Sequence, residues 1–193
     1  MAGEKMILPV VKYGHPVLRQ KGTRIEGITD EIRQLVSDMY DTMYAAKGVG
    51  LAAQQIGRAL QLAVLDVSAV TDRPSTLELK GELADVDAFM PIALINPEVK
   101  TVGELVAGAE GCLSFPEIFG DISRPEQVDV KALNEKGETL AFRCGGLLAR
   151  AVQHEVDHLN GILFIDRMSK EDKASVKPEL EALQAETKAS LKR

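Results

Sequence analysis

The stretch QHEVDH (153–158) sets two histidines four residues apart, with a glutamate directly after the first. On an α-helix, residues four apart differ by about 40° around the axis and about 6 Å along it. His154 and His158 therefore point the same way and can share one ion. Leu147 and Ala151 fall on that face too, so the imidazoles turn towards the core. Buried imidazoles need partners, and a metal ion would satisfy both at once. Glu155 sits about 100° further round, outside the coordination plane but placed to touch a water on the metal. This is the H-E-x-x-H arrangement: two ligands and a general base from little more than one helical turn. Alone it does not decide the matter, because His154 bonded to a carbonyl and Glu155 in solvent would suit an ordinary helix. Two observations tip the balance. The chain has three histidines and two of them are here. The face they occupy is otherwise Leu and Ala.

A catalytic divalent site takes three protein ligands and keeps one position for water. No histidine lies downstream, and His15 stands far off in YGHPVLR (13–19). Glu171 is available, but in a charged run that reads as exposed. Cys112, in EGCLSFPE (110–117), is the better candidate. Gly111 allows close backbone approach there, and Pro116 stiffens the residues after it. The alternative for Cys112 is a buried, inert thiol. Cys144 fits that alternative better, since it ends a strand and has no polar cluster beside it.

The chain has 193 residues, 45% apolar and 27% charged, which suits one globular domain with its own core. Trp is absent and aromatics are few, so the core must rest on Leu, Ile, Val, Met and Ala. No apolar run approaches the roughly 20 residues of a membrane span. The N-terminal MAGEKMILPVVKYG (1–14) is too short in apolar residues for a secretory signal, and Pro9 interrupts it. A cytoplasmic location is expected. Two cysteines are too few for a disulfide framework. The net charge of −6 argues against a general nucleic-acid binder. The charge is uneven: residues 167–193 carry 7 basic and 5 acidic side chains, whereas the rest carries 16 and 24.

Apolar spacing organises the chain. TDEIRQLVSDMYDTMYAAKG (29–48) predicts a helix with Ile32, Leu35, Val36, Met39 and Met43 as its stripe, capped by Thr29 or Asp30 and ended by Gly48. GVGLAAQQIG (48–57) reads as a loop leading to an extended segment. LQLAVLDV (60–67) and IALINPEV (92–99) read as strands, the second ending near Pro97. Residues 68–91 are mixed and polar and read as a long surface insertion. QVDVKAL (127–133) and ETLAFRC (138–144) flank NEKG as a hairpin with one buried face. GGLLARAVQHEVDHLNG (145–161) is the second long helix. ILFIDRM (162–168) reads as a short strand or extended stretch, and the remainder as a charged helix with a break or a new start at Pro178.

Taken together, GVGLAAQQ (48–55), EGCLS (110–114) and QHEVDHLNG (153–161) resemble the peptide deformylase family, with GHPVLR (14–19) as a fourth matching motif. The resemblance runs from about residue 6 to 168. It implies an α+β fold: antiparallel strands packed around a central helix carrying H-E-x-x-H, with N-terminal and C-terminal helices. It implies one catalytic domain over 1–168 and a helical tail over 169–193, packed on or projecting from it. By the resemblance, Cys112, His154 and His158 hold one divalent metal, Fe(II) in cells with Zn(II) or Ni(II) as alternatives. The implied reaction releases formate from the N-terminal formyl-methionine of nascent polypeptides. Hydroxide formed on the metal attacks the formyl carbon, and Glu155 serves as base and then acid. The Gln55 amide and the Leu113 N–H would receive the charge growing on the formyl oxygen. Gly50 would pair with the substrate main chain, and Val49 and Ala151 would face its Met side chain. A family association with the ribosome suggests a use for the C-terminal helix, and the tail's net positive charge is compatible with it. No membrane or DNA partner is expected. Residues 68–91 and FPEIFGDISRP (115–125) are longer than the shortest family pattern, which bears on substrate preference.

Two rival readings remain open on the sequence. A metallopeptidase cutting internal bonds shares H-E-x-x-H but needs a different third ligand. A non-catalytic metal-binding protein would have no need for Glu155 or Gln55.

Overall fold

The longest elements are two neighbouring strands, β5 (Ile92–Cys112) and β6 (Phe115–Leu133), joined by the two residues Leu113 and Ser114. The chain is described by a computed structural model covering residues 6–193. The first five residues of the N-terminal segment and of the expected 1–168 domain lie outside that range.

Before these strands come α1 (Asp30–Ala45), β1 (Gly50–Ala52), β2 (Leu62–Leu65), β3 (Ser75–Leu79), β4 (Glu82–Leu83) and the short helix α2 (Val86–Phe89). After them come β7 (Thr139–Gly145), α3 (Gly146–Leu159), α4 (Lys170–Ser175) and α5 (Lys177–Ser190). All strands join one antiparallel sheet in the order β1-β2-β5-β6-β7-β3-β4. The class is α+β, as expected.

Helix α1 forms for the reasons its sequence gives. The Thr29 hydroxyl accepts the Ile32 N–H at 3.3 Å, and Val36, Met39 and Met43 are buried against Leu51, Leu62 and Val64. Ile32 and Leu35 are only partly covered. The left-handed residue that ends the helix is Lys47 (φ 56°), not Gly48. The β6–β7 hairpin matches its alternating pattern: Val128, Val130 and Ala132 face Cys144, Phe142 and Leu140.

Four expectations need correction. GLAAQQI is not a loop. Gly50–Ala52 pairs with Leu65–Ala63, and Ala53–Ile56 forms a 3₁₀ turn. The strand from Ile92 does not end at Pro97. It continues to Cys112 because the register shifts between Ile95 and Glu98, so the missing proline N–H falls at an irregularity. Asn96, with φ 53°, satisfies Ile25 at this point through its side-chain amide. Residues 68–91 are not a surface insertion alone. Within them β3 pairs with β7, and Leu77 is buried in the main core cluster. Finally, ILFIDRM is neither strand nor extended throughout: Leu163 is extended, but Phe164–Asp166 forms a 3₁₀ turn.

Helix α3 packs against strands β1, β2, β3, β5, β6 and β7. Leu148, Val152 and Leu159 are fully buried. Each stabilises the fold by about 1.5–3 kcal/mol relative to exposure. The helix begins at Gly146 (φ 65°), where a side chain would collide with the Pro74 carbonyl. The helices α4 and α5 both contact β6, and Leu180 joins residues of its first half, Phe115, Ile118 and Ile122. Leu180 is buried in a cluster with Val17, Leu18, Phe115 and Phe164, so the tail lies on the body of the fold. Among the described residues no helix is long and apolar enough to cross a membrane.

Candidate metal centre and its cleft

Helix α3 supplies His154, Glu155 and His158, and the end of β5 supplies Cys112. The ligand atoms of Cys112, His154 and His158 all lie within 4.8 Å of one another. Cys112 Sγ is 3.3 Å from His158 Nε2. Glu171 sits in the exposed first turn of α4, outside this group. Cys144 is buried among apolar side chains, and burial pushes its thiol up to about 12. His15 is also elsewhere: its Nδ1 accepts the Val17 N–H and caps the 3₁₀ turn Pro16–Arg19.

The imidazoles are prepared for an ion. His154 Nδ1 contacts Glu110 Oε2 at 2.9 Å, which leaves Nε2 free to face the sulfur. Burial drives His158 below its ordinary range, which favours the neutral form a ligand requires. Burial acts the same way on His154, but its bonds to Cys112 and Glu110 outweigh it and raise the ring. One thiolate and two imidazoles in tetrahedral reach suit a divalent transition ion such as zinc or ferrous iron. The residues present therefore fit the group.

Glu155 is buried, with Oε2 lacking a hydrogen-bond partner among the described residues. Burial raises its carboxyl to about 7, although His154 acts in the opposite sense. Gly50 makes room for it: a Cβ at this position would collide with the carboxylate. Gln55 is also buried. Its Oε1 accepts the Ala52 N–H at 2.9 Å, so the amide NH₂ must face the other way. There it lies 3.4 Å from Cys112 Sγ and 3.4 Å from Ser114 Oγ.

These groups open onto a cavity of 560 Å³. Val49, Gly50, Gln55, Leu113, Ala151 and Glu155 line it. Cys112 and His154 line it too, and His158, buried outside the lining, joins them through its ring beside the sulfur. Phe115, Pro116, Glu117 and Phe119 form part of the wall, whereas residues 68–91 contribute only Arg73.

A buried charge network lies behind the ligands. Arg124 donates to both oxygens of Glu110 at 2.5 and 2.9 Å, and to Asp157 at 2.8 Å. Arg150 donates to Glu110 at 3.0 Å, and Arg167 donates to both oxygens of Asp157 at 2.5 and 2.6 Å. Burial alone would raise Glu110, but His154 and Arg124 overcome it and hold the carboxyl at about 2. Sequence reasoning gave none of these residues a role. One signal was there: Glu110 and Cys112 stand two apart on a strand and so share a face. Asp157 likewise is a charge on the helix that carries His154, Glu155 and His158.

Comparison with known proteins agrees with the geometry. The profile of the Polypeptide deformylase family matches residues 7–174. The chain belongs to that family. It is 44% identical to the peptide deformylase of Opitutus terrae over 189 residues, covering 97% of this chain and 98% of that one. It is 47% identical to that of Methylacidiphilum infernorum over 178 residues, covering 92% and 93%. A plant peptide deformylase crystal structure superposes with a TM-score of 0.82 at 36% identity, covering 98% and 96%. The Synechococcus elongatus peptide deformylase, solved in complex with actinonin, gives 0.73 at 38% identity, covering 97% and 91%. As a deformylase, the chain is a metal-dependent hydrolase that removes N-terminal formyl groups from nascent peptides. The metallopeptidase and non-catalytic readings are thereby set aside.

Proposed function

We propose that Cys112, His154 and His158 together hold one divalent ion, and that Glu155, Gln55 and Leu113 carry out the deformylation beside it. The observation that carries this reading is the convergence of three ligand atoms next to a buried carboxylate with a free oxygen. When bound, the ion supplies Lewis acidity, lowering the pKa of a water and drawing charge from the formyl oxygen.

Glu155 takes a proton from the attacking water. The water oxygen bonds to the formyl carbon, the C–N bond breaks, and Glu155 passes the proton to the departing amine. A carboxyl near 7 is suited to both halves of that exchange. Gln55 Nε2 and the Leu113 N–H donate to the formyl oxygen as negative charge grows on it. Gly50 holds the substrate main chain in strand fashion, since among the described residues β1 has a sheet partner on one side only, β2. Val49 and Ala151 form the apolar wall for the Met side chain, and both line the cavity.

Iron(II) is the ion we assign in cells, with zinc or nickel as substitutes in purified protein. Residues 1–168 form the catalytic domain and 169–193 the tail, whose helix approaches the ribosome while the enzyme works in the cytoplasm. The supporting observations are the tail's lysines and the absence of a membrane-spanning helix among the described residues. The test is formate release from formyl-Met-Ala-Ser by anaerobically purified protein, with metal analysis of the same sample. Formate release proportional to bound metal supports the reading. Turnover at full rate without metal contradicts it.

A further inference from the structure

The segment Val11–Tyr13 touches both elements that carry the proposed formyl-oxygen donors. The Val11 N–H donates to the Gln55 carbonyl at 2.8 Å, and the Tyr13 N–H donates to the Ser114 carbonyl at 2.9 Å. Between them, Lys12 Nζ donates to the Leu113 carbonyl at 2.7 Å. The Tyr13 ring stacks on Phe115 with centroids 4.8 Å apart, which fixes the segment against the start of β6.

Lys12 is half-buried and lines the catalytic cavity. Burial lowers its pKa, while the nearby Cys112 acts in the opposite sense. A partly buried ammonium is costly unless it is paired. Its bond to a carbonyl is of the stronger, charge-assisted kind. The atom it grips matters. Leu113 and Ser114 connect β5 to β6 and lie outside both strands, so the sheet does not fix their backbone groups. Only two soft dihedrals separate the Leu113 N–H from the Leu113 carbonyl. Anchoring the carbonyl therefore restricts the direction in which the N–H can point.

We propose that Lys12 is a positioning residue for deformylation: by holding the Leu113 carbonyl, it aims the Leu113 N–H at the formyl oxygen. The flanking backbone bonds of Val11 and Tyr13 set the spacing between that N–H and the Gln55 amide. This inference rests on the reading of Gln55 and Leu113 as donors to the formyl oxygen. Removing a donor outright typically costs about 10²–10³ in kcat. Loosening one that remains present costs less, on the order of tenfold.

The test compares zinc-loaded wild type, Lys12→Met, Lys12→Arg and Gln55→Ala in formate release from formyl-Met-Ala-Ser. Zinc content, thermal midpoint and the ¹⁵N–¹H resonance of Leu113 are measured on the same samples. Lys12→Met keeps the aliphatic stem and removes the donor. It should lower kcat about tenfold with KM within about twofold, leave zinc content and thermal midpoint unchanged, and shift or broaden the Leu113 resonance. Lys12→Arg should restore most of kcat. Should the Met variant not fold, Lys12→Leu, which also lacks a donor, is measured in its place with the same expected outcome. A Lys12 variant with normal kcat, beside a Gln55→Ala enzyme that has lost it, overturns the role of Lys12 and leaves the donor reading intact. Normal kcat in both overturns the donor reading and this inference with it. A loss that follows zinc content or thermal midpoint, or one that Lys12→Arg does not relieve, marks a structural role and also overturns it.

Discussion

Gly50 and Glu155 fit each other so closely that a single methyl group at Gly50 has nowhere to go. We predict that Gly50→Ala displaces the carboxylate and lowers kcat/KM by about 10²-fold, while metal content stays unchanged. Loss of metal in that variant would show that the crowding acts on the ligands instead. Glu155→Gln keeps the shape and removes the base, so turnover should fall by about 10²–10⁴-fold with metal retained. The Glu155 carboxyl stands at about 7 because burial favours its neutral form. A cation at the neighbouring ligands favours the ionised form, so loading the site should move this titration to lower pH. Carboxyl ¹³C NMR of metal-free and zinc-loaded protein reads that shift directly. The two thiols also part company. After chelation, a small alkylating reagent should modify Cys112 and spare Cys144 until denaturant is added, because Cys144 is buried and its thiol lies near 12.

The element that organises the site is α3, with the end of β5 beside it and the Glu110–Arg124–Asp157 network behind. Breaking a buried pair by removing one partner costs about 3–5 kcal/mol. Arg124→Met should therefore lower the thermal midpoint and weaken metal retention through the freed Glu110. The pH dependence has a definite sign. Glu110 sits at about 2 in the fold, below its ordinary 4.5. Its contribution, on the order of 3 kcal/mol, is complete above pH 4.5 and is lost as the pH falls towards 2. Denaturant midpoints recorded across that window should drop in wild type and change less in Glu110→Gln. At this scale the sequence was legible wherever a period was clean. The α1 stripe, the β6–β7 alternation and the helix around His154 could all be read from spacing. It was not legible where long-range pairing overrode local signals. Pro97 looked like an end because its strand absorbs it in a shift of register, and β3 looked like loop because its partner β7 lies far along the chain.

In the molecule as a whole, β5, α3 and β1 converge on one cleft, while α5 adds Leu180 to the cluster of Phe115 and Phe164, against which Cys112 also packs. A chain ending at Met168 should still fold and release formate. It should lose about 2–5 kcal/mol of stability, as expected when a buried leucine and its neighbours are uncovered. Failure of that shortened chain to fold would erase the division between body and tail. The candidate ligands were legible because histidine is scarce in this chain, but spacing alone left Cys112 and Glu171 both open. Only the motifs read together, and then the geometry, bring residue 112 beside His154 and His158, more than forty positions away. Lys12, Arg124 and Arg150 were not legible, and Glu110 and Asp157 were marked only by sharing a strand or helix with the ligands, because the partners that bury these charges lie far along the chain.

In the proposed centre one sulfur and two imidazole nitrogens share a single ion. X-ray absorption at the metal edge of the zinc-loaded protein measures this directly. One sulfur at about 2.3 Å and two nitrogens at about 2.0–2.1 Å are expected, with the sulfur lost in Cys112→Ser. A first shell of nitrogen and oxygen alone in the wild-type protein would contradict this centre.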